Sequence, residues 1–251
     1  MIGPLILGGA MFYTANSYPI AFKILLIPFA LMLVAIAYTY RKIGKTVEVE
    51  AKNIKEEGTS LTRGFWIYCI AIFLNTLGLI PVALILYTGS SILQPLGQQW
   101  IVPLLYVVVQ AVDAPMALVS GHLFDKLGVK LLVLPFILAI FPAFFVSYGG
   151  LLGVIVACII FGLVLGMQES IYRAAVCDLV PLCRRGTAYG IFNTALGLGT
   201  LASGVIFGFL IDYGYSAAVL MGLAIVFQMG AIIALRSDKQ LFSNSAKKGI
   251  N

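Results

Sequence analysis

Long runs of apolar residues joined by short loops leave this chain few ways to fold. They cover residues 20–40, 65–86, 101–123, 131–148, 151–179, 188–211 and 216–235. A run of roughly 20 apolar residues, as a helix, spans the ~30 Å hydrocarbon core of a bilayer. In lipid the backbone must satisfy its own hydrogen bonds, which restricts spans of this length to helices. Composition agrees: 61% of residues are hydrophobic and 10% charged, whereas a soluble domain carries about a quarter charged. Mean hydropathy is +1.03. The chain reads as an all-α, polytopic membrane helix bundle. Residues 1–14 are apolar but too short for a full crossing, and with no charged leader or cleavage site they do not read as a signal peptide.

The loops divide sharply by charge. Residues 41–63, 126–130, 184–185 and 236–248 hold nearly every Lys and Arg, and the alternate loops at 88–99, 147–150 and 212–215 hold none. The positive-inside rule assigns the first set to the cytoplasm. Residues 1–17 then lie outside, and the six spans after residue 63 begin and end inside. The expected organisation is a partial helix plus one span over 1–43, a cytoplasmic linker over 44–63, a six-helix bundle over 64–240 and a cytoplasmic tail over 241–251. The net charge of +6 lies in these loops, without the basic stripe and interleaved aromatics of a nucleic-acid surface. No nucleic-acid partner is expected.

A faint repeat runs through the six later spans. Gly121-His-Leu-Phe-Asp125 closes the second of them and Gly208-Phe-Leu-Ile-Asp212 the fifth. Both read GxLxD, three spans apart and on opposite sides. That is the pattern of two inverted three-helix repeats, a plan used by secondary transporters.

Ionisable and amide side chains inside the spans are the candidate site. Each charge costs roughly 2.5–3.5 kcal/mol at a helix centre on insertion scales, so such residues turn into a bundle or a water-filled cavity. Asp113 lies near the middle of its span and shares a helical face with Tyr106, Gln110 and Ala117. Desolvation disfavours the ionised carboxyl there, which suits it to take up and release a proton; the alternative is a structural pair with Arg173. At 100° per residue, Gly162, Gly166, Glu169 and Arg173 fall within roughly 60° of one another. Glu169 and Arg173 stand at i,i+4 and could pair within their own helix, or Glu169 could serve a gate or proton coupling. Gln168 points about 120° away. Gly186, Gly190, Asn193, Gly197, Gly204 and Gly208 share one face, a seam that lets helices approach closely in lipid. Asn193 in that seam, and Asn75 in the span over 65–86, could hydrogen-bond a substrate or another helix.

Enzyme chemistry finds no support. Gly121 to Asp125 begins the spacing of the CDP-alcohol transferases, but Val129 stands where their next aspartate would be. Ser120 beside His122 lacks an orienting partner. With one His and no CxxC pair among Cys69, Cys158, Cys177 and Cys183, neither a metal site nor a cofactor is expected.

The stretch from Gly121 through Asp125, Lys126 and Gly128 to Lys130 resembles the GxLxDrxGrk loop of the major facilitator superfamily, in the copy between its eighth and ninth helices. Pro181 to Asn193, with Arg184 and Arg185, resembles the loop and start of its eleventh helix. Gly3-Pro4 with Gly8-Gly9 is similar to the end of its fifth helix, and residues 41–63 to its central linker. The resemblance implies a cytoplasmic gate formed by Asp125, Lys126 and Lys130 with Arg184 and Arg185, where Gly121 and Gly128 allow the tight turn. Val129 stands in place of a usual basic residue.

Since the family has twelve spans in two bundles, the resemblance implies the second bundle with the end of the first. The chain would then be a piece of a longer reading frame, or would associate with the missing N-terminal bundle or a second copy. The expected function is alternating-access, proton-coupled transport of a small solute across the cell membrane. Asp113, Glu169, Arg173, Gln110, Asn193 and Asn75 would line or couple the path. The competing reading is a non-transporting membrane module or scaffold that assembles through the glycine seam.

Overall fold

The computed structural model describes residues 2–43 and 61–237. Most of the linker and all of the tail expected over 241–251 lie outside these residues. Every described element is helical, as the spans require: α1 Ile2–Tyr13, α2 Tyr18–Ile43, α3 Arg63–Leu77, α4 Val82–Leu93, α5 Val102–Leu127, α6 Val133–Leu138, α7 Phe141–Ser147, α8 Gly150–Met167, α9 Arg173–Leu179, α10 Arg185–Asp212 and α11 Ala217–Ser237. Among the described residues, six helical stretches, taken across short breaks, are long and apolar enough to cross a membrane. One of them, Gln99–Ser147, is 49 residues long, roughly 70 Å of helix and too long for one crossing. It turns back at Gly128, whose φ of +58° and ψ of −145° fall in a region open essentially to glycine alone.

Three of the expected spans are broken rather than continuous, and at two of the breaks a backbone carbonyl accepts from a side chain of another helix. The first breaks between α3 and α4 at residues 78–81. Pro81 cannot continue the ladder of α3, and the freed carbonyl of Leu79 accepts a 2.6 Å hydrogen bond from Ser203 Oγ of α10. The span over 131–148 divides into α6 and α7 before Pro142. The span over 151–179 is interrupted by a π turn, Gln168–Tyr172. The loop expected at 88–99 is shorter than the sequence suggests, because α4 runs on to Leu93.

Two hydrophobic clusters fill the bundle end to end. One joins Phe65, Phe124, Val129, Tyr172, Val176, Phe192 and Leu235; the other joins Ile85, Leu105, Val146, Val154, Phe207 and Leu220. Every basic loop among the described residues borders the first cluster, and the loops without Lys or Arg border the second. Phe124 of the first GxLxD stretch lies in the first cluster and Phe207, beside the second stretch, in the other, so the two copies sit at opposite ends. Val129 is 4% exposed: the position that departs from the family's basic residue has joined the core.

Helix packing follows small residues. A Cβ built on Gly162 would lie 2.6 Å from the Val109 carbonyl oxygen, and one on Gly166 2.5 Å from that of Asp113. α5 and α8 therefore touch backbone to backbone, which only glycine allows. The glycine seam of α10 behaves differently. The inward face of α10 runs through Ala188, Phe192, Gly199, Ser203 and Phe207, while Gly186, Gly190 and Gly197 have open space where a Cβ would go. That part of the seam faces outward, while at its other end a Cβ on Gly204 or Gly208 would lie 3.9 Å from Pro81 or 3.8 Å from Leu84 of the α4 segment.

α1 packs on α5, with Gly8 against Leu104. The turn after α1 is pinned to the loop before α5: Asn16 Nδ2 donates to the Gly97 carbonyl at 2.7 Å and Asn16 Oδ1 accepts from the Trp100 amide at 2.9 Å. α2 packs on α1 and is otherwise largely exposed along its length.

Candidate functional site

Between the two clusters runs a band of polar side chains at the middle of the bundle. Asn75, Asp113, Ser203 and Gln228 are buried there, each flanked on its own helix by residues of one cluster above and the other below. Polar groups in an apolar interior survive only when partnered, or when function holds them.

Asp113 is 8% exposed, and its Oδ1 is buried without a hydrogen-bond partner among the described residues. Glu169 lies within electrostatic reach of it, since α5 and α8 approach so closely at Gly166. Glu169 and Arg173 are both exposed. The π turn between them breaks the 100° step on which their shared face rests, so the i,i+4 geometry of an α-helix does not apply. Arg173 offers its carbonyl to Tyr189 Oη at 3.0 Å. Gln110 Nε2 donates to Tyr106 Oη at 3.3 Å, one turn back along the Asp113 face.

Asn75 belongs to a second, fully partnered cluster. Its Nδ2 donates to Gln228 Oε1 at 2.8 Å, and Gln228 Nε2 returns a bond to the Asn75 carbonyl at 2.9 Å. Its Oδ1 accepts from Tyr172 Oη at 2.7 Å and from Gln168 Nε2 at 3.4 Å. Tyr68 Oη, two turns before Asn75 on the same face of α3, donates to the Tyr172 carbonyl at 2.8 Å. Gln168, which helical geometry turns away from the Glu169 face, meets Asn75 of α3 instead. Gln228 and Tyr172 gave no sequence signal beyond being polar groups in apolar helices. Asn193 is exposed on α10, apart from both groups.

The gate candidates gather at the basic end. Gly121 packs against the π turn, where a Cβ would stand 3.1 Å from Ser170 Oγ. Asp125, Lys126 and Lys130 are exposed around the Gly128 turn. Arg185 Nη2 donates to the Cys177 carbonyl at 3.2 Å, satisfying a backbone group at the end of α9 that has no partner inside the helix. Arg184 is half-buried beside it. Among the described residues no cluster of His, Cys, Asp and Glu has the makings of a metal site.

The family model of the Major Facilitator Superfamily matches residues 1–204 and, in an overlapping window, 101–245. An uncharacterised protein of Mycobacterium bovis and one of Mycobacterium tuberculosis are each 30% identical over 231 residues, which is 90% of this chain and 56% of theirs. An uncharacterised MFS-type transporter of Methanocaldococcus jannaschii is 27% identical over 119 residues, 46% of this chain and 28% of its own. The chain spans about half the length of the mycobacterial relatives it matches. No solved structure matches it significantly.

Proposed function

This chain belongs to the major facilitator superfamily, and from that premise we propose that it works in the secondary active transport of a small solute, coupled to protons, by alternating access. Rocking of this bundle against a partner bundle would expose the polar band to each side of the membrane in turn. The partner is the N-terminal bundle of a longer chain or a second copy, because half of the length of the relatives lies outside this one.

The observation that carries the reading is Asp113 Oδ1, buried and unpartnered among the described residues at mid-bundle, beside the exposed carboxyl of Glu169. A carboxyl in that setting gains by holding a proton and can release it when water or substrate arrives. Gln110, one turn from Asp113, and the exposed Arg173 are the polar groups nearest to hand for a solute; Asn75 would serve by holding the helices around the site, and Asn193 only where the partner bundle closes over its face of α10. Asp125, Lys126, Lys130, Arg184 and Arg185 form the gate at the basic end, which the charge asymmetry assigns to the cytoplasm of the cell membrane.

The test is proton influx into proteoliposomes holding the full-length protein, monitored with an internal pH dye while a panel of sugars, organic anions and drugs is offered. Asp113→Asn and Glu169→Gln should each abolish solute-driven proton movement while leaving membrane insertion intact. Wild-type coupling in both variants removes the assignment. The scaffold reading draws on the outward glycine seam of α10, and it gains if the protein drives no solute flux but is recovered in a stable membrane complex.

A further inference from the structure

The hydroxyl of Tyr68 and the amide of Asn75 both end on the π turn that carries Glu169, and they hold it at its two boundaries. Asn75 Oδ1 accepts from the side chain of the first residue of the turn, Gln168, and from that of the last, Tyr172. Tyr68 Oη takes the carbonyl of that same last residue. Tyr68 and Asn75 stand seven positions apart on α3, so both reach the turn from one helix face. Gln228 of α11 clamps Asn75 from behind with two hydrogen bonds. Asn75 and Gln228 are 0% exposed, as are Tyr68 and Tyr172.

We propose that Tyr68 and Asn75 are positioning residues: α3 acts as a splint that fixes the π register, and that register sets where Glu169 points. A π turn is one residue wider than the α-helix around it and is disfavoured against it. Relaxation to α would shift the residues after the turn by about 100°. One of Gln168 and Tyr172 would then leave Asn75 Oδ1, and a buried oxygen stripped of its donor is costly in an apolar interior. The side-chain bonds therefore select the wider turn. Glu169 lies between the two tethered residues, and its approach to Asp113 depends on the same register. The inference rests on the transport reading for the purpose of Glu169, but not for the splint itself.

Amide hydrogen exchange on the full-length protein in nanodiscs separates the two. With Asn75→Leu or Tyr68→Phe, exchange over residues 168–173 should rise about tenfold, with α8 unchanged as the control for folding. Asn75→Asp keeps an acceptor oxygen for Tyr172 and Gln168 and should restore most of the protection. Labelling of a cysteine placed at Glu169 by a charged thiol reagent should change in the leucine variant and recover in the aspartate one. Unaltered exchange over 168–173 in both Asn75→Leu and Tyr68→Phe overturns the splint. If Asn75→Leu fails to fold, Tyr68→Phe carries the test, since it removes one oxygen and keeps the ring stacked on Phe192. Altered exchange with no labelling at position 169 in any background would keep the splint and remove the transport role of Glu169.

Discussion

The carbonyl of Asp113 and the α-carbon of Gly166 are in backbone contact across α5 and α8, so close that a Cβ at Gly166 would stand 2.5 Å from the oxygen. A buried carboxyl and the π turn bearing a second one are thereby fixed side by side. The contact is made by the absence of a side chain, and Gly162 repeats it one turn earlier against Val109.

Glycine substitutions should therefore divide by helix. Gly166→Leu or Gly162→Leu forces α5 and α8 apart and should cost at least about 1–3 kcal/mol. Gly190→Leu, on the outward seam of α10, should change the stability of this bundle by less than about 0.5 kcal/mol. Thermal unfolding in detergent, followed by reaction of buried Cys69 and Cys158 with a thiol dye, reads both. Equal destabilisation at Gly166 and Gly190 would contradict the assigned faces.

Ser203→Ala leaves the Leu79 carbonyl without its donor at the break between α3 and α4. The expected loss is about 1–3 kcal/mol, seen as a lower midpoint in the same assay. Ser203→Thr keeps the hydroxyl and should retain more of the stability than alanine does.

Gly128→Ala should lower stability by about 1–3 kcal/mol, because an alanine Cβ is not tolerated at φ +58° and ψ −145°. Gly121→Ala tests a different effect. There the backbone is helical, and the neighbour is the hydroxyl of Ser170 at 3.1 Å, so the penalty should be smaller and relieved by Ser170→Gly.

Orientation is tested by single cysteines at Gln98 and at Lys126. In sealed right-side-out vesicles, an impermeant maleimide should label position 98 and spare position 126. The reverse pattern would invert the proposed topology.

Much of this was legible in the sequence because lipid leaves the backbone so little freedom. Run length and loop charge gave the number of later spans, and the turn at Gly128 followed from its motif. Asp113 stood out as a carboxyl at midspan. Three features escaped for identifiable reasons. The π turn at Gln168–Tyr172 has no compositional mark, being stabilised by Tyr68 and Asn75 from another helix. The cluster of Asn75, Tyr172 and Gln228 escaped because its hydrogen bonds join three helices that no spacing along the chain relates. The glycine seam of α10 suggested close packing along its length, yet only Gly204 and Gly208 meet a neighbour in this bundle while Gly186, Gly190 and Gly197 face open space, and nothing in a list of glycines says which of them meet their own bundle.

The central claim is that Glu169 turns toward an aqueous path rather than lipid. In the full-length protein, with Cys69, Cys158, Cys177 and Cys183 replaced by alanine, Glu169→Cys is treated in membranes with a charged methanethiosulfonate, beside Leu118→Cys on the 76% exposed flank of α5. The account predicts rapid modification at position 169 and none at position 118, where the side chain meets hydrocarbon. A cysteine at 169 as unreactive as that at 118 would contradict it.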